Sequence, residues 1–434
     1  MTFLPPDHPE RLVLADEVHA RPPEPLNTPV RATHVAVLVG ADERELERQH
    51  LVRLFTRFDL PPPPTGATQF ILTLGTGRMK WERHGEFSSY TFFAHGGSDR
   101  PFVDTAVAAL PAGWLADLPG RTVAAAHAVV LPGRGAPLTA HELATYFDGN
   151  TPVGAGLGAG VGYAFTDFRI HTDSCGRFVL LDDGFTPHQA GRLLQRLFEI
   201  DAYRMMALLA LPIARRQSPR IVAIEQALAE LTDGIAREDG REEALLHELT
   251  RLAAEVESGL SASQFRFGAC RAYSELVRTR IEELDERRLP GLQTIGEFMT
   301  RRFTPAVTTC HTVSQRLHDL SERVAQASGL LATRVGIARE RQNQDLLASM
   351  NRRARLQLRL QQTVEGLSIA AIVYYVVGLW GYVSKGLKAS GLPFNVDLTV
   401  GVAVPLVAAL AIFALRRTRR RIAQSEPDDA LRID

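Results

Sequence analysis

Cysteine is scarce in this chain: there are three, Cys175, Cys270 and Cys310, and no two stand in a CxxC pair. That spacing excludes a cysteine zinc site and a disulfide framework, and it predicts reduced thiols in a cytoplasmic compartment. An excess of charge is missing too. Forty-nine Lys and Arg balance 49 Asp and Glu, so the chain lacks the basicity that points to nucleic acid. No HExxH and no GK[ST] occurs, which leaves the common zinc-protease and P-loop signatures unmatched. The start, MTFLPPDHPERL, has no basic stretch followed by an apolar run, and no signal peptide is expected.

What is abundant is uncharged apolar sequence near the C-terminus. Leu367 to Val383 and Leu398 to Leu415 carry no charge, and each approaches the roughly 20 residues that a helix needs to cross a bilayer. Pro405 lies in the second run, where a membrane helix tolerates proline if neighbours satisfy the freed carbonyl. Arg352, Arg353, Arg355 and Arg359 precede the pair, and Arg416, Arg417, Arg419, Arg420 and Arg421 follow it. By the positive-inside rule both termini are then cytoplasmic, in a bacterial inner membrane crossed twice. The alternative is a pair of buried helices in a soluble protein. Runs of spanning length between arginine clusters argue for the membrane. On the first span Ser368, Ala371, Tyr375, Gly378 and Tyr382 recur at spacings of three and four, forming a stripe with Gly381 beside it. The stripe is expected to face other helices or a pore, because hydroxyls facing lipid go unsatisfied.

Upstream, the segment Glu17-Val18-His19-Ala20-Arg21-Pro22-Pro23 is expected to be extended, since proline disfavours helix at Arg21. Glu17, His19 and Arg21 then share a face. They either bind a metal, an anion or a partner, or lie ion-paired at an edge. A strand over residues 34–40 and a helix over 42–58 follow, then a meander of strands at 69–74, 78–84 and 86–94. Glu82 and His84 share a face of the middle strand. Together with Glu17 and His19 they are the candidate ligands of a divalent metal ion, and Arg21 is the candidate contact for an anion or partner. From Gly154 to Gly162 glycine recurs at every second residue. Outside a dinucleotide or P-loop context this predicts a glycine face closely approached by another backbone.

From Thr186-Pro187 onward the pattern is helical. A first helix over 187–211 is expected to dock on the strand-rich domain. Pro212 weakens its continuation, Ser218-Pro219 starts the next helix, and polar segments over 221–257 and 262–288 follow. A last helix begins near Pro305 and runs into the first span. Long polar helices with modest apolar stripes predict hairpins or a coiled-coil stalk.

The stretches Glu17-Val-His-Ala-Arg-Pro-Pro23, Lys80-Trp-Glu-Arg-His84 and Phe198-Glu-Ile-Asp-Ala-Tyr-Arg-Met-Met-Ala-Leu208, ending in the hairpin, resemble a bacterial family of membrane-anchored proteins whose shared domain has no assigned function. In layout the chain is also similar to CorA-type magnesium channels, which place a cytoplasmic α/β domain and stalk helices before two C-terminal spans. Where those channels carry Gly-Met-Asn, this chain has Gly381-Tyr382-Val383, so the likeness implies an altered selectivity.

The expected fold is α+β: a cytoplasmic mixed α/β domain over 1–185, a helical stalk or coiled coil over 186–363, a transmembrane hairpin over 364–415, and a cytoplasmic tail, basic and then acidic, over 416–434. The expected role is a membrane-anchored oligomeric scaffold or sensor, more in keeping with a non-enzyme than an enzyme. Its partners are the lipid bilayer and further copies of itself, with no nucleic acid. The alternative is a CorA-like channel or transporter.

Overall fold

A computed structural model describes residues 5–18, 22–64, 66–236, 242–389 and 395–424. In chain order the elements are α1 (Arg11–Val18), β1 (Val30–Leu38), α2 (Arg44–Arg57), β2 (Gln69–Leu74), β3 (Gly77–Arg83), β4 (Phe87–His95), β5 (Arg121–Pro132), α3 (Ala140–Tyr146), β6 (Val153–Leu157), β7 (Gly162–Thr166) and β8 (Gly176–Asp182). Then come α4 (Pro187–Leu208), α5 (Leu211–Ala236), α6 (Glu242–Glu282), β9 (Arg287–Arg288), α7 (Ile295–Arg302), α8 (Thr304–Ala389) and α9 (Val396–Gln424). Two compact units result, Met1–Leu331 and Ala332–Asp434.

The first unit is built on one sheet of order β2-β3-β4-β1-β5-β8-β7-β6-β9. Its pairs are antiparallel except β5 with β8. Side chains alternate across a strand, and β1 follows this closely. Val30, Ala32 and Ala36 join the core under α4, while Val35 and Val37 join the core under α2. Leu51, Leu54 and Phe55 of α2 pack on Met79, Trp81, Tyr90 and Phe92. On the other face Leu193, Leu194, Leu197, Phe198 and Ile200 of α4 pack on Ala126, Ala128, Phe178 and Leu180. Each fully buried Leu or Phe contributes roughly 1.5–3 kcal/mol, so both faces of the sheet are firmly covered.

The meander and the helix opening at Thr186 lie where the sequence places them. Thr186 accepts from the Gln189 backbone and Gln189 reaches back to Thr186, a closed capping box. The glycine run is also as expected. A Cβ at Gly154 would come 2.9 Å from the Ala164 carbonyl, and one at Gly162 would overlap the Leu181 carbonyl.

Several expectations change. Glu17 is helical, at the end of α1, instead of extended. Pro22 restricts chiefly the residue before it, and Arg11–Val18 lies too far upstream to feel that restriction. His19 and Arg21 fall outside the described residues. The helix expected to start at Ser218 begins at Leu211; Pro212 sits in its first turn, where a missing N–H costs nothing. The expected break between residues 257 and 262 is absent, since α6 runs through it. Gly259 there lets Leu317 of α8 approach, and Ser263 donates to the Gly259 carbonyl at 2.6 Å.

The boundary expected at residue 186 is not a break in packing. Ile221, Leu228, Leu249, Leu252, Phe267 and Val277, with Leu317 and Leu320 of α8, belong to the same core as the sheet. Their apolar stripes are narrow enough to look solvated in sequence, yet they pack the helices on α4, which covers the sheet, and on one another, instead of leaving a free stalk before Leu331.

In the second unit, α8 and α9 each contain a segment long and apolar enough to cross a membrane, and neither segment's apolar window is buried within the protein.

Candidate functional site

Strand parity places an unusual set of polar side chains on the face covered by α4. Met79 and Trp81 of β3 enter the core under α2, so Lys80 and Glu82 point the other way. Register then aligns His34, Thr91 and Lys80 across three neighbouring strands, with Ser89 opposite Glu82 one step along. Lys80, Glu82, His34, Ser89 and Thr91 are all buried. Buried polar groups are more informative than exposed apolar ones.

Two further segments close the space. From α4 come Gln195, Phe198, Glu199, Ala202 and Tyr203. From the N-terminal segment comes Glu24, which is buried and ion-paired with Arg78. The segment rests on α4, where a Cβ at Gly191 would overlap the Glu24 carbonyl and the Leu26 N–H donates to Pro187 at 2.9 Å. The cavity measures about 30 Å³, room for about two water molecules.

The ionic groups around it are internally matched. The Lys80 ammonium lies 2.9 Å from Glu82 Oε1 and donates to the Pro22 carbonyl at 2.9 Å and to Gln195 Oε1 at 3.3 Å. Removing one partner of such a buried pair typically costs roughly 3–5 kcal/mol. Glu199 accepts from Gln195 at 2.7 Å and from Arg280 of α6. His84 approaches Ser89 Oγ at 3.3 Å and stacks on Phe87 with centroids 4.2 Å apart.

His34 is the exception. Its Nδ1 bonds Thr91 Oγ1 at 2.9 Å and its ring stacks on Phe198 at 4.9 Å, yet Nε2 has no partner among the described residues. Burial, reinforced by His84 and Lys80, pushes the imidazole down to about 3, so it is neutral at physiological pH. An unpaired buried polar atom costs roughly 1–3 kcal/mol. Tyr203, across the cavity, is held above its ordinary value by burial and then by Glu199, so its hydroxyl keeps its proton. The cavity therefore offers a free imidazole nitrogen and a phenol between neutralised charges.

Glu82, in β3, and His84, just past its end, both line this cavity. Among the described residues, however, no three His, Cys, Asp or Glu side chains are placed to hold a metal ion. Sequence reasoning missed His34, Glu24, Gln195 and Glu199. The available signals were a histidine in core parity on an apolar strand, and two polar residues one turn apart on the buried stripe of α4.

A second polar cluster, at the β7–β8 connection, is closed. His171 Nδ1 lies 3.1 Å from Asp148, and Nε2 lies 2.9 Å from Asp167. Arg177 pairs with Asp148 at 3.0 Å, and Asn150 donates to Asp167 at 2.9 Å. Both imidazole nitrogens are engaged, unlike those of His34.

In the hairpin, α9 packs beside the expected stripe. The row Ile369, Val373, Val377 and Gly381 is partly covered, and Val400 lies 3.6 Å from a Cβ built at Gly381. Tyr375, Gly378 and Tyr382 line the groove next to it, with both tyrosines mostly exposed. Ala371 is exposed, and Ser368 bonds its own helix at the Val364 carbonyl, 2.9 Å away. β-Branched and small residues thus make the intrachain contact, and a self-satisfied serine hydroxyl does not need one.

Residues 6–422 match the model of a family described as Protein of unknown function (DUF3422). The chain belongs to this family. The match takes in all three stretches and the hairpin on which the family resemblance was read, and it brings no activity with it. No curated protein matches the chain. For this DUF3422 chain, chemistry has to be argued from the cavity beneath α4.

Proposed function

We propose that this DUF3422 protein is a membrane-anchored sensor. Its hairpin spans the bacterial inner membrane twice with both termini in the cytoplasm, and its first unit binds a small polar ligand beneath α4. The observation that carries the sensing role is His34 Nε2, buried and unpartnered in a polar cavity. Keeping such an atom unpaired lowers stability, and a ligand that meets it returns that free energy as binding. A divalent metal ion at Glu82 and His84 would need further ligands, and His19 and Glu17 are the sequence candidates.

The test is a thermal shift of the full chain in detergent with zinc, ammonium or acetate ions as probes. At least one is expected to raise the unfolding midpoint of the native protein and to leave His34→Leu unmoved. No shift with any probe, or equal shifts in both proteins, would count against the pocket.

We also propose that the protein assembles with further copies of itself. Leu346, Met350, Leu360 and Val364 on α8 are each more than half exposed, and spacings of four place the members of each pair on one helix face. A Met350→Cys variant should form disulfide-linked dimers in native membranes; monomer alone would contradict assembly through this face. The channel reading rests on the CorA-like layout and on Tyr375 and Tyr382, with no acidic side chain within either span to meet a cation. Anchoring and sensing are therefore preferred.

A further inference from the structure

Two stripes border one groove between α8 and α9. On α8, Tyr375, Gly378, Tyr382 and Lys385 recur at spacings of three and four, and on α9 Asp397, Gly401 and Val404 do the same, so each set shares a helix face. All of them line a groove of about 1040 Å³. Along most of its length the groove is apolar and open. A Cβ built at Gly378 or at Gly401 meets nothing within 4 Å, and Val404 with the tyrosine rings supplies apolar walls. At the end nearest the link between the helices it becomes charged. Lys385 and Asp397 are exposed there, and among the described residues neither is ion-paired.

We propose that this groove binds a zwitterionic phospholipid whose headgroup carries a primary ammonium, as in phosphatidylethanolamine. Under the two-span topology proposed above, on which this rests, Lys385 and Asp397 stand at headgroup level. The acyl chain lies over Gly378 and Gly401, where no side chain fills the space. Lys385 meets the phosphate, and Asp397 accepts hydrogen bonds from the ammonium, both charge-assisted contacts. Tyr375 and Tyr382, each an apolar ring with a polar tip, suit the boundary between chain and headgroup.

The two charges select the headgroup. A phospholipid of net negative charge satisfies Lys385 but brings Asp397 no cation, and like charges set close together are disfavoured. A fully methylated ammonium attracts Asp397 but has no N–H to donate. Self-assembly through Leu346, Met350, Leu360 and Val364 uses an earlier stretch of α8 and leaves the groove free.

Native mass spectrometry of the full chain, purified in mild detergent and supplied with equal amounts of phosphatidylethanolamine and phosphatidylglycerol, reads which lipid stays bound. The native protein is expected to prefer the ethanolamine lipid about fivefold, the size of one charge's contribution at a membrane surface. Asp397→Asn should bring the two lipids to parity, and Gly378→Leu, whose side chain enters the open groove, should lower retention of both. Equal retention of the two lipids by the native protein, or an undiminished preference in Asp397→Asn, would overturn the proposal. A lipid-free native dimer that Gly378→Leu separates would assign the groove to a second copy and overturn it as well. Carbonate washing of the membranes is scored alongside. Release of the chain would remove the two-span topology and this site with it, whereas a retained chain without lipid preference would overturn the lipid site alone.

Discussion

The stability of the first unit should fall as pH drops from about 6.5 towards 4.5, and His34→Gln should remove a large part of that slope. In the folded chain His34 is pushed from 6.5 down to about 3 by burial, with His84 and Lys80 adding to the shift. Once unfolded, the imidazole takes up a proton below its ordinary value; in the folded chain it refuses the proton until about pH 3. The unfolded state therefore binds more protons across this window, and stability rises with pH. Its contribution is complete above about 6.5 and is lost progressively on acidification. The slope for one such group is about 1.4 kcal/mol per pH unit, so two units cost roughly 2–3 kcal/mol.

His50 and His127 are also held below their ordinary values, chiefly by burial, and add slope of the same sign. Comparison with His34→Gln isolates the share of His34. Glu45 and Glu142, lowered to about 2 by hydrogen bonds from Arg48 and Arg134 respectively, lose their stabilisation only as pH falls below their ordinary 4.5. Working above that value keeps them out of the comparison. Urea unfolding followed through Trp81 and Trp114, both in the first unit's core, gives the readout. Equal slopes in the native and variant proteins would mean that His34 is wet and not sealed beneath α4.

The difference between what was legible in the sequence and what was not has a physical pattern. The meander from Gln69 to His95 was legible because alternation and turn residues are local signals. The same holds for the two apolar helix segments of α8 and α9, whose uncharged runs need no partner to be recognised. The docking of α5 and α6 was not, because residues such as Leu252, Val256 and Phe267 form a thin stripe among many charges, and only the packing of α6 against α4 and α5 shows that the stripe is buried.

The cavity lies deeper still. Glu82 and His84 were read together from an expected strand over 78–84; β3 ends at Arg83, and both side chains line the cavity. His34 hid in an apolar strand, and Glu24, Gln195 and Glu199 reach the same space from segments far apart in sequence. Parity indicates which face a side chain takes, but not what covers that face. The N-terminal segment shows the converse error: Glu17 was read through a proline five residues downstream, when its own neighbours favour helix.

The proposed topology, two spans with both termini in the cytoplasm, is tested most directly by accessibility labelling in intact cells. With Cys175, Cys270 and Cys310 replaced by serine, Asn395→Cys probes the link before α9 and Gln344→Cys probes the exposed part of α8. An impermeant maleimide should label Asn395→Cys from outside and reach Gln344→Cys only after lysis, with both variants retained in carbonate-washed membranes. Labelling of Gln344→Cys in intact cells, or release of the protein by carbonate, would contradict the account.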